Sequence, residues 1–270
     1  MAHALAREPR TGAPAYVQVT GLGKIYPSPR GPVTALESVD FEARSGEFVS
    51  VVGPSGCGKT TLLKCIAGLE PVSSGEIRIA DRLLAGPPED LGFVFQRDVL
   101  FDWRTILDNV LVAAEFLGLN RRAYRERALQ LLQRFGLEGV GHRYPWELSG
   151  GMRQRVSICR ALLVDPGLLL MDEPFGALDA MTRDDLNVEL TRLWHGTSKT
   201  VVFITHSIVE AIYLADRVVV MSRGPGRVVE NVEIDLARPR PLAIRETPGF
   251  SQYSGHIRHL FAELGILKEA

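Results

Sequence analysis

The residues best suited to chemistry begin in one stretch, Val49–Thr61, which reads V-S-V-V-G-P-S-G-C-G-K-T-T. Gly53, Gly58, Lys59 and Thr60 stand in the order Gly-x4-Gly-Lys-Thr. That spacing suits a phosphate chain. Gly56 and Gly58 let backbone N–H groups turn inward around an anion. The helix expected to open at Thr60 adds about half a positive charge at the same place. Lys59 is expected to reach the β- and γ-phosphates of a nucleotide, and the Thr60 hydroxyl to ligate Mg²⁺. Pro54, Ser55, Cys57 and Thr61 complete the expected nucleotide-binding loop, with Cys57 as a small filler rather than a nucleophile. The competing reading is a Gly-rich turn that binds nothing.

Further candidates sit at the ends of apolar runs. Leu168–Met171 runs into Asp172-Glu173, and Thr200–Ile204 into Thr205-His206. Ligands of open α/β sheets bind at the carboxyl ends of strands. Asp172 can then hold the Mg²⁺ shell and Glu173 can accept a proton from an attacking water, although two acids at a solvated strand end look the same. A lone histidine is usually structural, but His206 at the end of a strand of the same sheet can face the γ-phosphate. Gln96 follows another expected strand, where it can ligate Mg²⁺ or orient water. After it, Val99, Leu100, Phe101 and Trp103 are more numerous than a loop requires; they are either local core or a docking groove for another chain's helix. Ser149-Gly150-Gly151 precedes a helix and offers a hydroxyl and flexible N–H groups, a second anion site. A plain serine N-cap is the favoured reading of Ser149 in isolation, but a second phosphate site without a second lysine suggests that it completes a site on another molecule. Asp179 lies in a turn, Gly176-Ala177-Leu178-Asp179. Tyr26, in a Pro/Gly-rich turn, either stacks on a base or is a half-buried tyrosine at a strand end.

The elements that must position these residues follow from periodicity. Tyr16–Thr20 alternates and reads as an edge strand. Val39–Ala43, Glu47–Val52, Glu76–Ile79, Gly92–Phe95, Leu168–Met171 and Thr200–Ile204 read as strands, the later ones buried and parallel. Arg217–Ser222 and Arg227–Val232 form a hairpin across Gly224-Pro225-Gly226. Thr60–Ala67 is the phosphate-loop helix, stopped by Gly68. Residues 105–165 turn helical: Thr105–Leu117, Arg121–Phe135 and a helix from Ser149 to Leu163, with Gly136–Trp146 as a loop. Helices follow from Asp179 to Trp194, over Ile208–Ala215 and over Phe250–Leu267, the last after an extended linker, Arg238-Pro239-Arg240-Pro241. Residues 1–14 read as a disordered arm.

Bulk properties narrow the function classes. A chain of 270 residues with 46% hydrophobic content can build a sizeable core. With 31 basic and 32 acidic residues, the net charge of −1 does not favour a nucleic-acid binder. Three cysteines (Cys57, Cys65, Cys159) lack metal-type spacing, which speaks against a zinc site or disulfide framework and for a reducing compartment. No apolar run reaches the roughly 18 residues of a membrane span, and Met1–Ala15 lacks the apolar core of a secretory signal.

Taken together, these motifs resemble the ATP-binding subunit of an ATP-binding cassette (ABC) transporter, over about residues 16–235. The phosphate loop, Gln96, the signature Leu148–Gln154, Asp172-Glu173 with Asp179, and His206 occur in family order, and Tyr26 falls where the family places its base-stacking aromatic. The resemblance implies an α/β P-loop NTPase core with an antiparallel β subdomain and an inserted helical subdomain (about 100–165), an ABC ATPase domain over 15–237, and a C-terminal linker and helix over 238–270. It implies ATP and Mg²⁺ as ligands, with Thr60, Gln96 and Asp172 on the metal, Glu173 as general base, and His206 on the γ-phosphate. It further implies head-to-tail pairing with a second copy, in which Ser149-Gly150-Gly151 closes the partner's nucleotide site and Asp179 links the two sites. Membrane permease subunits and, indirectly, a solute-binding protein are the other expected partners, and the cytoplasmic face of the membrane is the expected location. Phe93–Val110, M-D-E-P-F-G-A-L-D-A-M-T-R and A-R-P-R-P resemble importers of the nitrate/sulfonate/taurine type, with Asp102 and Cys159 departing from residues common there. A soluble ABC ATPase acting on DNA or ribosomes is the alternative. A phosphate-loop kinase or GTPase explains Lys59 and Asp172 but leaves Leu148–Gln154 without a purpose.

Overall fold

The computed structural model describes residues 14–176, 178–194 and 197–266. In chain order the strands are β1 (Ala15–Tyr26), β2 (Val33–Arg44), β3 (Phe48–Val52), β4 (Ser74–Ile79), β5 (Arg82–Leu83), β6 (Leu91–Val94), β7 (Leu168–Asp172), β8 (Thr200–Ile204), β9 (Arg217–Met221) and β10 (Val228–Glu233). The helices are α1 (Lys59–Ile66), α2 (Ile106–Phe116), α3 (Arg121–Arg134), α4 (Gly150–Leu162), α5 (Ala180–Trp194), α6 (Ile208–Leu214) and α7 (Pro248–Glu263).

Two sheets form. One is antiparallel, in the order β2-β1-β4-β5; the other runs β10-β9-β3-β8-β7-β6. In the second, β9, β3, β8, β7 and β6 are parallel and only β10 is antiparallel to its neighbour. β3, β7, β8 and β9 are buried along their whole length, which explains why they are almost wholly apolar. One apolar core fills the space between the α1 face of this sheet and the antiparallel sheet. A second lies on the other face, under α2, α3, α4, α5, α6 and α7. Among the described residues, no helix is long and apolar enough to cross a membrane.

Several expectations are corrected. The first strand is not a short edge strand. It extends to Tyr26 and is internal, pairing with β2 on one side and β4 on the other; Gln18 and Thr20, alternating with buried Val17 and Val19, are exposed. The short strand β5 has no apolar signature, since Arg82 and Leu83 are both exposed. Arg238-Pro239-Arg240-Pro241 is not a loose linker. Arg240 is 3% exposed and donates to the carbonyls of Ile212, Tyr213, Ala215, Ile234 and Leu236. Tyr213 returns a hydrogen bond to the Arg240 carbonyl at 2.8 Å. The C-terminal carbonyls of α6 have no helical partners of their own, and the guanidinium fork supplies them. The last helix ends at Glu263; Leu267 and residues 1–13 of the expected arm lie outside the described residues.

Candidate functional site

The phosphate loop connects β3 to α1. Gly56 and Gly58 have φ of 76° and 103°, the left-handed region in which an L side chain is strained. At Gly58 a Cβ would also lie 2.7 Å from the Ala35 carbonyl oxygen, so the loop is seated directly on β2. Gly58 caps α1 without a side-chain hydrogen bond. By contrast, α2, α3, α4, α6 and α7 are capped by Thr105, Asn120, Ser149, Ser207 and Thr247. Among these helices, the positive end of α1 carries no side-chain cap. Lys59 is buried and its ammonium donates to the carbonyls of Gly53 (2.9 Å) and Pro54 (3.0 Å), holding the charge over the loop. Cys57 is buried, and burial pushes its thiol up, in keeping with a filler role. Ser55 and Gly56 are exposed at the loop's crest.

The strand order converges the other candidates on this loop. β3, β8, β7 and β6 are successive neighbours, so Gly53, His206, Asp172-Glu173 and Gln96 emerge from one end of the sheet. Thr60 Oγ1 donates to Asp172 Oδ1 at 2.9 Å. Burial pushes the Asp172 carboxyl above the usual range, opposed by the Thr60 hydrogen bond. Glu173 has φ of 44° and donates its N–H to Ile204 O at 3.0 Å. The left-handed turn takes its carboxylate out of the β7 line to meet Gln96 Nε2 (3.2 Å) and His206 Nδ1 (3.5 Å). A non-glycine residue in this conformation costs about 1–2 kcal/mol, and such strain clusters where chemistry requires an unusual orientation.

Tyr26 ends β1 opposite Val33, two residues along β2 from Ala35, with the Lys24 ammonium 4.7 Å from its ring centre. Ser149 accepts from Met152 N at 3.3 Å and so caps α4 with its own side chain. Asp179 accepts from Thr182 N at 3.0 Å, and that backbone hydrogen bond holds its carboxyl below the usual range. Among the described residues, no hydrogen bond joins Ser149, Gly150, Gly151 or Asp179 to the phosphate loop. They form a second, exposed cluster, with Gly151 against Leu178. Ala177, in the same turn, lies outside the described residues.

Two supporting groups escaped the sequence. Ser207-Ile208-Val209-Glu210 reads as an ordinary capping box. Instead the Glu210 carboxylate accepts from Thr205 Oγ1 at 2.5 Å and faces Arg183 Nε at 3.3 Å. Thr205 Oγ1 in turn accepts from Ser207 N at 3.0 Å. The residues flanking His206 are thereby tied to α5, whose Arg183 also donates to Leu178 O at 3.1 Å. The second group is Asn109, fully buried on α2. It receives Phe101 N at 2.7 Å and donates to the carbonyls of Phe101, Arg104 and Thr105. With Gln154 donating to Phe95 O and Arg160 to Asp98 O and Val99 O, it fixes the segment after Gln96. That segment leaves Val99 and Trp103 outward, 54% and 74% exposed, near an equally bare Phe116.

The family model described as ABC transporter matches residues 36–176. The chain belongs to the ABC transporter family. It is 48% identical over 253 residues to the ABC transporter ATP-binding protein MJ0412 of Methanocaldococcus jannaschii, covering 94% of this chain and 91% of that one. It is 49% identical over 208 residues to the taurine import ATP-binding protein TauB of Escherichia coli K12, covering 77% and 82%. Among solved structures, the dimeric ATP-binding cassette MJ0796 bound to ADP and Pi is similar with a TM-score of 0.74 and 33% identity, covering 82% of this chain and 99% of that one. The chain is thus an ABC ATPase with the ABC ATPase fold, a nucleotide-binding subunit.

Proposed function

We propose that this ABC ATPase energises an importer of a small anionic solute of the nitrate/sulfonate/taurine type through a separate permease at the cytoplasmic face of the membrane. The observation that carries the transport reading is the exposed apolar patch of Trp103 and Phe116, joined through Phe101, with Val99 exposed in the same segment. It is anchored through Asn109 to the segment that begins at Gln96 and is exposed where solvent would otherwise favour polar residues. A helix of a permease seated there would move with Gln96. The similarity to a protein named for taurine import supports the solute class.

In this reading, ATP lies on the phosphate loop with its base against Tyr26. Lys59 leaves the Gly53 and Pro54 carbonyls for the phosphates. The hydroxyl of Thr60, the carboxylate of Asp172 and the amide oxygen of Gln96 make an all-oxygen donor set that fits Mg²⁺. The ion, when bound, neutralises charge on the β- and γ-phosphates. Glu173 accepts the proton of the attacking water, and Gln96 and His206 hold its carboxylate in place. His206 also reaches the γ-phosphate. Two copies pair head to tail. Ser149-Gly150-Gly151 of one then covers the nucleotide of the other, and Asp179 joins the two sites; the dimeric state of MJ0796 supports the pairing. A solute-binding protein would deliver solute to the permease.

The test is purification of the tagged chain from its native membranes in mild detergent. Recovery with a multi-span permease is expected. Recovery only from the soluble fraction, with ribosomes or DNA, would overturn the transport reading and leave the ATPase standing.

A further inference from the structure

A cavity of about 300 Å³ lies on the face of the parallel sheet away from α1, between α3, the end of α4 and the end of α5. Its volume is at the lower end of the range for small-molecule sites. The floor is apolar: Leu131 of α3, Leu169 and Met171 of β7, and Trp194 of α5. The rim is cationic, with Arg127, Arg134 and Lys199.

The charges at the mouth do not balance. Asp165 is shared by Arg127 at 2.8 Å and Lys199 at 2.7 Å. Glu189 is likewise shared by Arg134 at 3.8 Å and Arg192 at 2.6 Å. Each carboxylate meets two cations, so positive charge is left over beside an apolar hole. The Arg127 Nε is also buried with no hydrogen-bond partner among the described residues, a donor that is costly to leave unsatisfied. An apolar body with one anionic head answers all three features.

We propose that this cavity is an effector site for a small amphipathic anion, an alkyl or aryl sulfonate or carboxylate. The occupant would touch α3 on one side and Met171 on the other. Met171 directly precedes Asp172, so a ligand wedged there reports to the ion-binding end of β7 through a single residue.

The experiment uses the full chain carrying Trp103→Phe and Trp146→Phe, which leaves Trp194 as its one tryptophan. Sodium octane-1-sulfonate is titrated below its micelle concentration while Trp194 emission is followed and ATP turnover is measured in parallel. A saturable change is expected, with turnover shifting at the same midpoint. Octan-1-ol should bind about tenfold more weakly or worse, as the loss of a charge-assisted hydrogen bond implies. Lys199→Gln should weaken sulfonate binding. Because Lys199 also ties Asp165 to the Pro166 carbonyl, Arg134→Gln, on the exposed side of the rim, tests the same charge without that risk to the fold. Emission that does not saturate, octanol binding as tightly as the sulfonate, or unaltered affinity in Arg134→Gln would overturn the site. Turnover that stays flat while sulfonate is bound would overturn its role as an effector.

Discussion

The Thr60 hydroxyl and the Asp172 carboxylate meet at 2.9 Å although 112 positions separate them in the chain. The contact closes the phosphate loop onto the end of β7. It brings together the two residues proposed to hold Mg²⁺, at a carboxylate whose pH response is governed by burial and opposed by this hydrogen bond. Burial raises the Asp172 pKa. In the ligand-free fold, the stability associated with its protonated form is present at low pH and is lost as pH rises through the raised value. Cation binding needs the ionised form, so the sign for affinity is opposite. Affinity for ATP with Mg²⁺ should fall on acidification, starting above the ordinary aspartate range. Asp172→Asn should abolish both that dependence and most of the Mg²⁺ requirement for tight binding. Calorimetric titrations across pH, with and without Mg²⁺, check this; an unchanged profile in Asp172→Asn would remove the residue from the ion site.

Glu173→Gln should bind ATP as the parent does and hydrolyse it about 100-fold more slowly or worse, the range for loss of a general base. The amide can still accept from Gln96, so the 3.2 Å contact survives in geometry while the proton acceptor is gone. Single-turnover hydrolysis alongside nucleotide binding separates the two; near-normal turnover would sink the assignment.

Glu210 lies buried between Thr205 and Arg183. Glu210→Ala should cost about 3 kcal/mol in urea unfolding, the low end for breaking a buried charged pair, since Arg183 keeps some access to water. Glu210→Gln keeps an acceptor for Thr205 and should cost about half as much. Turnover should drop in the alanine variant because the strand end that carries His206 is freed; equal stability of all three proteins would contradict the network.

Replacing Gly58 by Ala should destabilise the fold by at least about 1–2 kcal/mol for the left-handed backbone alone. More is expected from the clash with the Ala35 carbonyl oxygen at 2.7 Å. Thermal unfolding without nucleotide gives the number. A Tm within a degree of the parent's would show that the loop relaxes away from β2.

Hydrolysis should rise faster than linearly with protein concentration in the dilute range. Among the described residues, no hydrogen bond joins the phosphate loop to the Ser149–Gly151 cluster within one copy, and two copies would complete a site. Strict proportionality at low concentration would argue against shared sites.

Local order determined much of this protein before any fold was seen. The runs Glu47–Val52, Leu168–Met171 and Thr200–Ile204 announce strands because their interiors are apolar except for Ser50, and all three form almost to the residue. Gly56, Gly58, Lys59 and Thr60 carry their chemistry in their spacing, since a loop and the first turn of a helix are set by residues a few positions apart. Strand order is a different matter. β8 lies between β3 and β7 although the chain makes it last of the three, and that arrangement alone brings His206, Glu173 and Gln96 to one edge. Nothing near Glu210 predicts that Thr205 claims its carboxylate, because a serine three residues earlier accounts for an acid at that position. Arg238-Pro239-Arg240-Pro241 reads as an extended linker, and only the fold shows that Arg240 meets the carbonyls at the end of α6. Helical and strand periodicity is written in neighbouring residues; which buried polar groups satisfy one another depends on the long crossovers that assemble the sheet, and only the tertiary structure decides it.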